Sequence, residues 1–286
     1  MKYRGLLLLS AITIILGLSG CSNGEKVDET VDFSSEKVSI IKLNNDSWNV
    51  NILTSTDNDI HISYNGTING DKDAIQVRQN DNELLVDLEG VDSQKSTQFS
   101  FGESGEITLY IPEKDSLSLK TENVKGDMEI ENITCLDFSL NNDSGNVEIK
   151  KLYTQNAEFQ SKSGDIKITD SNIDSNKIET SSAYVTLNSV TGNSMDISTR
   201  SGEVNAKSID ANTDTNISTG SGDVSVVYKK QPDNLSIDVT SDSKDISIGM
   251  KSVEYTKNTE SNKKGLIGNG THHLSLRSDS GTIVVK

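Results

Sequence analysis

The chain has 286 residues, of which 33% are hydrophobic and 5% aromatic, and its formal net charge at pH 7 is −16. A chain this acidic does not bind nucleic acid non-specifically, and a bare anionic membrane surface repels it. Such a composition is also typical of disorder, but the apolar residues are mostly Ile, Val and Leu in alternating runs, which predict β-strands.

The first twenty residues have the composition of an export signal. Lys2 and Arg4 precede the apolar run LLLLSAITIILGL, and small residues follow it. A run of this length indicates a cleaved signal peptide over residues 1–20, because a membrane span needs ~20 apolar residues.

The end of this signal resembles the lipobox of bacterial lipoproteins, with Leu18, Ser19 and Gly20 before Cys21. The resemblance implies that the Cys21 thiol carries a diacylglycerol, which anchors the protein to the membrane. We therefore expect an extracytoplasmic protein held on the bacterial cell membrane by a lipid. An ordinary signal followed by a chance cysteine is the alternative. Cys135 is the other cysteine, so no intramolecular disulfide is expected.

The segments that follow differ in pattern. Residues 22–36 are polar and show no strand pattern, so the lipidated cysteine and a flexible tether are predicted over 21–36. Residues 37–125 contain alternating runs such as WNVNILT and DIHISY, and they predict irregular early β coils.

From residue 126 onward the chain repeats a phrase of the type SG-[DNE]-[VI], mostly at intervals of 19 residues. Two and four residues after the glycine, each repeat places an apolar residue on one face of a short strand. Glycine fills six of the eight equivalent positions, far above its ~7% average usage. The eight positions are Gly126, Gly145, Gly164, Ala183, Gly202, Gly222, Lys244 and Gly281.

This repeat predicts an all-β fold, a single-stranded parallel β-helix (β-solenoid) with ~19-residue coils stacked in chain order. Nineteen residues at ~3.3 Å each trace roughly 60 Å, enough for one narrow coil. We expect positive φ at the corner glycine, and hydrogen bonds along the column of serines before it. Regular coils are predicted over 126–286, with a polar insertion at 250–268 that protects the end of the stack.

Three stretches carry a resemblance to a known family: LYIPEKDSLSLKTENVKGDMEI at 109–130, the SG repeats, and the closing GNG…LSLRSDSGTIVV. Together they resemble the bacterial "putative adhesin" family, a β-solenoid domain of unknown function, over roughly residues 40–286. LiaG-like, membrane-anchored relatives are encoded beside envelope-stress two-component systems, so the resemblance implies an envelope role. It implies no catalytic or binding residues.

The position after the corner glycine is acidic in five of the eight repeats. Glu203, Asp223 and Asp245 occupy three consecutive repeats, which suggests a weak site for Ca²⁺ or another cationic ligand. Alternatively, these acids are only an exposed corner at which neutral neighbours limit repulsion. His272 and His273 lack a third ligand and are interpreted as solvated surface rather than a zinc site.

The sequence predicts no cofactor and no catalytic residues, because the G-x-S-x-G motif is absent and the arginines are far apart in repeat position. The expected function is a non-catalytic binding, adhesin-like or envelope-stress scaffold module that contacts an envelope protein or wall glycan. Two alternatives remain: a polysaccharide-active β-helix enzyme, which needs converging carboxylates, and a bactofilin-like self-assembling protein, which needs uncapped apolar ends.

Overall fold

The structure is a computed structural model that describes residues 25–68, 75–88 and 104–286. All the regular secondary structure in these ranges is β-strand. Over the same ranges, no helix has the length and apolar character that crossing a membrane requires. The lipobox residues Leu18, Ser19 and Gly20 and the lipidation site Cys21 lie outside the described residues, so lipid anchoring stays a prediction.

The strands before the regular coils are β1 (Glu25–Ser34), β2 (Ile40–Asn45), β3 (Asn49–Thr54), β4 (Asp59–Ile68), β5 (Gln76–Asn80), β6 (Glu83–Leu88), β7 (Ser104–Ile111) and β8 (Ser118–Asn123). The regular coils contain β9 (Met128–Asn142), β10 (Val147–Ser161), β11 (Ile166–Thr169), β12 (Asn172–Thr180), β13 (Val185–Asn188), β14 (Ser194–Thr199), β15 (Val204–Ile209), β16 (Asp214–Thr219) and β17 (Val224–Tyr228). The C-terminal part contains β18 (Leu235–Ser241), β19 (Ile246–Ile248), β20 (Glu254–Asn258), β21 (Asn262–Ile267), β22 (His272–Ser278) and β23 (Ile283–Val285).

Parallel pairing between successive coils builds two long faces. The first face runs from β7 through β3, β9, β10, β11, β13, β15, β17 and β23 to β19. The second face runs from β6 through β2, β8, β9, β10, β12, β14, β16 and β22 to β18. The long strands β9 and β10 contribute to both faces. The prediction of an all-β solenoid is confirmed.

The core is a thin layer between the two faces. In one coil, Val147 and Ile149 are buried from the first face and Phe159 from the second. The rings of Phe138 and Phe159 meet across neighbouring coils with centroids 5.3 Å apart. Each large apolar side chain removed from water contributes ~1.5–3 kcal/mol. A few such residues in every coil therefore hold the stack together, although only 33% of the chain is hydrophobic.

The coils do not stack in chain order at either end of the solenoid. The last coil, β22–β23, lies between the coil of β16–β17 and the coil of β18–β19. At the other end, β2–β3 lies between β6–β7 and β8–β9. The prediction of chain-order stacking is wrong at both ends, because a terminal coil inserted between two others gains pairing partners on both of its edges.

The segment predicted as a flexible tether is partly a strand. β1 (Glu25–Ser34) pairs antiparallel with β4, which itself pairs antiparallel with β7. Val27, Val31 and Phe33 pack in half-buried positions against the core. The tether predicted over 21–36 is therefore wrong for Glu25–Ser34, because these alternating apolar residues bury one face despite the acidic residues between them.

The predicted insertion at 250–268 contains an antiparallel hairpin of β20 and β21, and β21 covers the edge of β18. The outer strand β20 is exposed and has a bulge between Tyr255 and Lys257. Bulges and charged side chains discourage edge strands from pairing with other chains. The hairpin thus ends the second face without leaving a flat edge strand that is open to pairing with another chain.

The corner glycines are required for close approach rather than for positive φ. The described glycines with positive φ are Gly192, Gly268 and Gly270, and none of them is a corner glycine. A Cβ on Gly145 would lie 1.9 Å from the carbonyl oxygen of Gly126 in the coil below. The prediction of positive φ is therefore wrong for the corner glycines, although Lys244 at the equivalent position has a φ of 64°. Positive φ occurs instead six residues later, at Asn132, Lys151, Asp170, Ser189 and Ser208.

A buried polar column lies three residues before the corner and was missed in the sequence, although every repeat has Asn, Ser or Thr there. The Asn142 amide donates to the Gly145 carbonyl (2.6 Å) and to Ser161 Oγ in the next coil (3.2 Å). Asn123 makes the corresponding bonds to Gly126 and Asn142. This column satisfies backbone groups that would otherwise be buried without partners. Its buried members are Asn45, Asn123, Asn142, Ser161, Thr199, Thr219, Ser278 and Ser241.

Candidate binding surface

The three acidic residues proposed as a cation site are not on consecutive rungs of the ladder. Thr282 lies between two of them: its N–H donates to Asp223 Oδ1 (2.7 Å) and its hydroxyl to Asp245 Oδ2 (3.2 Å). The interpretation of Glu203, Asp223 and Asp245 as consecutive acids is therefore wrong, because the last coil inserts before Asp245. Among the described residues, no group of three or more His, Cys, Asp or Glu side chains could hold a metal ion.

The acidic column has a structural role along the corner. Asp127 Oδ1 accepts the N–H of Asn146 (2.8 Å), and Asp165 Oδ1 accepts the N–H of Tyr184 (2.9 Å). Each bond joins a carboxylate to the backbone of the next coil, and hydrogen bonds to charged acceptors are stronger than neutral ones. These acids therefore stabilise the stack.

The serine column before the glycine also bonds from coil to coil, as the sequence predicted. The hydroxyl of Ser144 donates to the Val124 carbonyl (2.9 Å), and that of Ser163 to the Asp143 carbonyl (3.1 Å). These serines are thus engaged by the backbone rather than poised as nucleophiles.

Carboxylates on the flat faces pair with lysines. Glu148 lies 3.0 Å from Lys167 Nζ and 3.1 Å from Lys150 Nζ, and Glu158 lies 3.0 Å from Lys177 Nζ. Hydrogen bonds from these lysines lower the pKa of both glutamates. An acid whose pKa is lowered stays ionised at neutral pH, so neither glutamate is suited to donate a proton.

His61 joins two acidic side chains at the N-terminal end of the solenoid. Its Nδ1 lies 2.7 Å from Asp32 in β1, and its Nε2 lies 2.9 Å from Asp57. Hydrogen bonds to Asp32 and Asp57 raise the pKa of His61, while bonds from the Asp59 backbone and His61 lower the pKa of Asp57 to about 2. In the sequence His61 is one polar residue of the run DIHISY, which gave no sign of these partners.

The remaining residues that the sequence singled out show no shared site. His272 Nδ1 lies 3.6 Å from Asp214, and the backbone N–H of His273 donates to the same carboxylate. Cys135 is buried, and burial raises the pKa of its thiol to about 11. A thiol in this state is a poor nucleophile and metal ligand.

A shallow groove of about 520 Å³ runs along the second face beside the corner and crosses four coils. We call it the second-face groove. Its floor includes Asn142, Ser161 and Thr199 of the buried polar column. Two columns of more exposed residues flank this floor. One side contains Asn141, Gln160, Glu179 and Ser198, and the other contains Lys162, Ser181 and Arg200.

The groove presents polar groups that the fold itself does not use. Lys162 pairs with Asp143 at 2.6 Å. In contrast, the side chains of Asn141, Ser181, Ser198 and Arg200 make no hydrogen bond or ion pair with any described residue. The arrangement can therefore offer several hydrogen-bond donors and acceptors to a ligand. Sequence reasoning missed the groove because its residues come from four repeats and form no motif within any one of them.

A search among curated proteins finds no match. The fold is similar to that of a "putative lipid binding protein" from Parabacteroides distasonis, with 15% identity and a TM-score of 0.52 over 92% of this chain and 98% of that one. A "putative adhesin" from the same species has 13% identity and a TM-score of 0.48, covering 92% of this chain and 98% of that one. A "putative cell adhesion protein" from Clostridium sporogenes has 10% identity and a TM-score of 0.32, covering 92% and 99%.

At these identities the structural likeness concerns the fold alone. The family model described as Toastrack DUF4097 matches residues 38–286, a range that includes both faces of the solenoid and the groove. The resemblance seen in the sequence is thus confirmed. The chain belongs to the Toastrack DUF4097 family.

Proposed function

We propose that the protein is a non-catalytic binding module of the cell envelope, held outside the cytoplasm by a lipid on Cys21. In this proposal the solenoid is a rigid scaffold that presents its second face to an envelope partner. The observation that carries it is the second-face groove. Its free polar side chains lie on strands paired on both sides, as Asn141 and Ser198 do, or directly after such strands, as Ser181 and Arg200 do.

The charge state of the acidic side chains supports a role without catalysis. The described carboxyl groups with shifted pKa values are Asp57, Glu148 and Glu158, and all three are shifted downward. A glycoside hydrolase needs one acid that keeps its proton near neutral pH beside a second, ionised carboxylate. The lysines paired with Glu148 and Glu158 instead favour the ionised form of both carboxyl groups.

The position of β1 supports a short connection to the proposed lipid. Three residues separate Cys21 from the start of β1 at Glu25. Four residue steps of extended chain reach at most ~14 Å. The N-terminal end of the solenoid would then lie close to the bilayer, and the groove would face the envelope from coils further along the stack.

The ends of the solenoid favour a separate module over a filament. Antiparallel strands β4 and β1 adjoin the outer edge of β7, and the hairpin of β20 and β21 adjoins β18. A filament built by end-to-end stacking would need these edges uncovered. The resemblance to LiaG-like proteins also suggests a role in envelope stress. Such a role would require the module to bind a component of the wall or membrane.

The anchor is tested by expressing the full chain in bacteria with labelled palmitate. The wild-type protein should incorporate label and sediment with membranes, and Cys21→Ala should lose both properties. An unlabelled wild type would refute the anchor.

Binding is tested by sedimenting the detergent-extracted protein with isolated cell walls while reducing sugar ends are assayed. Release of new reducing ends would refute the non-catalytic role.

A further inference from the structure

We propose that the second-face groove binds a neutral, extended glycan strand that lies along the solenoid axis. This inference rests on the proposed function and specifies its ligand and site. Because parallel strands are ~4.8 Å apart, the four coils that line the groove extend over roughly 14 Å. A linear polymer with regularly spaced hydroxyl groups matches a surface whose polar side chains recur once per coil.

The composition of the groove disfavours a protein partner. All eleven lining residues are polar or charged. The centres of protein interfaces are apolar, and their affinity comes mostly from aromatic or aliphatic side chains that enter apolar pockets. The groove has no apolar side chain in its lining to receive one, whereas a glycan gains affinity from hydrogen bonds spread along its length.

The charges disfavour a polyanionic ligand. The chain has a net charge of −16, which repels a polyanion as it approaches. Lys162 is already paired with Asp143, and Glu179 is paired with Lys177 at 3.0 Å. Arg200 is thus the one lining cation without an ion pair to a described residue. A neutral glycan avoids the repulsion and still accepts hydrogen bonds from Arg200.

The free groups suit sugar hydroxyls, which both donate and accept. Arg200 offers five N–H donors, the Asn141 amide offers donors and an acceptor, and the hydroxyls of Ser181 and Ser198 do both. The floor beneath them is fixed by the bond from Asn142 to the Gly145 carbonyl and its equivalents. Backbone held in this way loses little conformational entropy when a ligand binds.

The test uses the full chain in detergent micelles and isothermal titration with neutral oligosaccharides of increasing length, namely N-acetylglucosamine, β-glucan and mannan oligomers. At least one series should bind, with an affinity that rises until the oligomer spans the groove and then levels off. Arg200→Gln should weaken this binding about tenfold or more, as expected for loss of a charged hydrogen bond. Arg277→Gln is the matched control, because Arg277 pairs with Asp279 at 2.8 Å and does not line the groove.

A second variant, Ser198→Tyr, places a ring in the groove from an exposed position and should abolish binding without changing the circular dichroism spectrum. The proposal fails if no neutral oligomer binds, if both groove variants bind like wild type, or if acidic oligosaccharides or peptides bind better. If cell walls still sediment the two variants as well as wild type, the groove assignment is refuted while the proposed function stands. If cell walls sediment none of the proteins, both are refuted.

Discussion

At the residue scale, the stack depends on the missing side chain at the corner. Successive glycines lie so close that a Cβ on either Gly145 or Gly164 would be 1.9 Å from the carbonyl oxygen of the glycine one coil below. The Gly126 and Gly145 carbonyl oxygens accept hydrogen bonds from Asn123 and Asn142, so neither can move away without breaking a buried bond. The regular glycine in the sequence is therefore a packing requirement.

Gly145→Ala should lower the free energy of unfolding by about 3 kcal/mol, the upper part of the range for overpacking a rigid site. Gly249→Ala is the control, because its Cβ would be 3.5 Å from the nearest atom, the Val285 carbonyl oxygen. Urea unfolding of the two variants measures the difference. Equal stabilities would show that the corner can spread to accept a methyl group.

The buried amides are not all equivalent. Asn142 is hydrogen-bonded in the polar column, whereas Asn176 is 2% exposed and neither its Nδ2 nor its Oδ1 has a partner. Asn176 lies between Ala157 and Met195 on the inner side of the second face. An amide buried without hydrogen bonds costs ~1–3 kcal/mol.

Asn176→Leu should therefore raise the free energy of unfolding by about 1–2 kcal/mol, because the replacement removes unpaired polar atoms at nearly constant volume. Asn142→Leu should lower it by a similar amount, because it leaves the Gly145 carbonyl without its donor. Thermal and urea unfolding of both variants provide the comparison. Destabilisation by Asn176→Leu would mean that the amide is bonded in solution, for example by an internal water.

At the scale of elements, β1 is the strand whose attachment depends most on ionisable groups. Among the described strands it pairs with β4 alone, and its Asp32 bonds to His61 of that strand. The groups facing His61 are Asp32 from β1, Asp57 from the preceding turn, and Tyr110, its register partner on β7. Two carboxylates on one imidazole require the protonated ring, in which both nitrogens donate.

This arrangement predicts that β1 is bound less firmly at alkaline pH. The pKa of His61 is raised in the folded state, so its contribution to stability is fully present below about pH 6.5 and is lost as pH rises through the folded value. Hydrogen exchange of the β1 amides, corrected for intrinsic rates, should therefore show protection that falls above this pH. His61→Gln should make that protection independent of pH over the same interval, and a pH-dependent loss in this variant would contradict the assignment.

At acid pH a different group, Asp57, makes stability fall as the pH is lowered. The pKa of Asp57 is lowered from 3.8 to about 2, so its contribution is present above pH 3.8 and disappears as pH falls toward 2. Asp57→Asn should remove this contribution, which acid titration of the unfolding midpoint would show as a weaker decline in that interval. The same decline in wild type and variant would show that other carboxylates dominate.

At the scale of the whole molecule, the sequence predicted the coil and its periodic core, because each repeat carries the same glycine and paired apolar positions. It could not predict the order of the end coils. The residues around Gly281 and Lys244 fit the ladder equally well, and pairing is decided by which strand edges remain open. β1 was also hidden, because half-buried Val27 and Phe33 are separated by charged residues. The groove could not be predicted for a related reason, because it exists only once four coils are stacked.

The inserted last coil makes the C-terminal end interdependent. Among the described strands, the coil of β18 and β19 pairs with the regular stack only through β22 and β23. Truncation after residue 270 should therefore remove hydrogen-exchange protection from Ile246–Ile248 and lower it in Leu235–Ser241, which would keep only the pairing with β21. Val224–Tyr228 should keep its protection, because it still pairs with β15. Replacing the hairpin residues 254–267 by a short Gly/Ser linker is the control, and it should leave β18 protected because β22 still pairs with it. Full protection of β18 in the truncated chain would mean that its coil slides onto β16 and β17, and that coil order is set by chain length rather than by specific pairing.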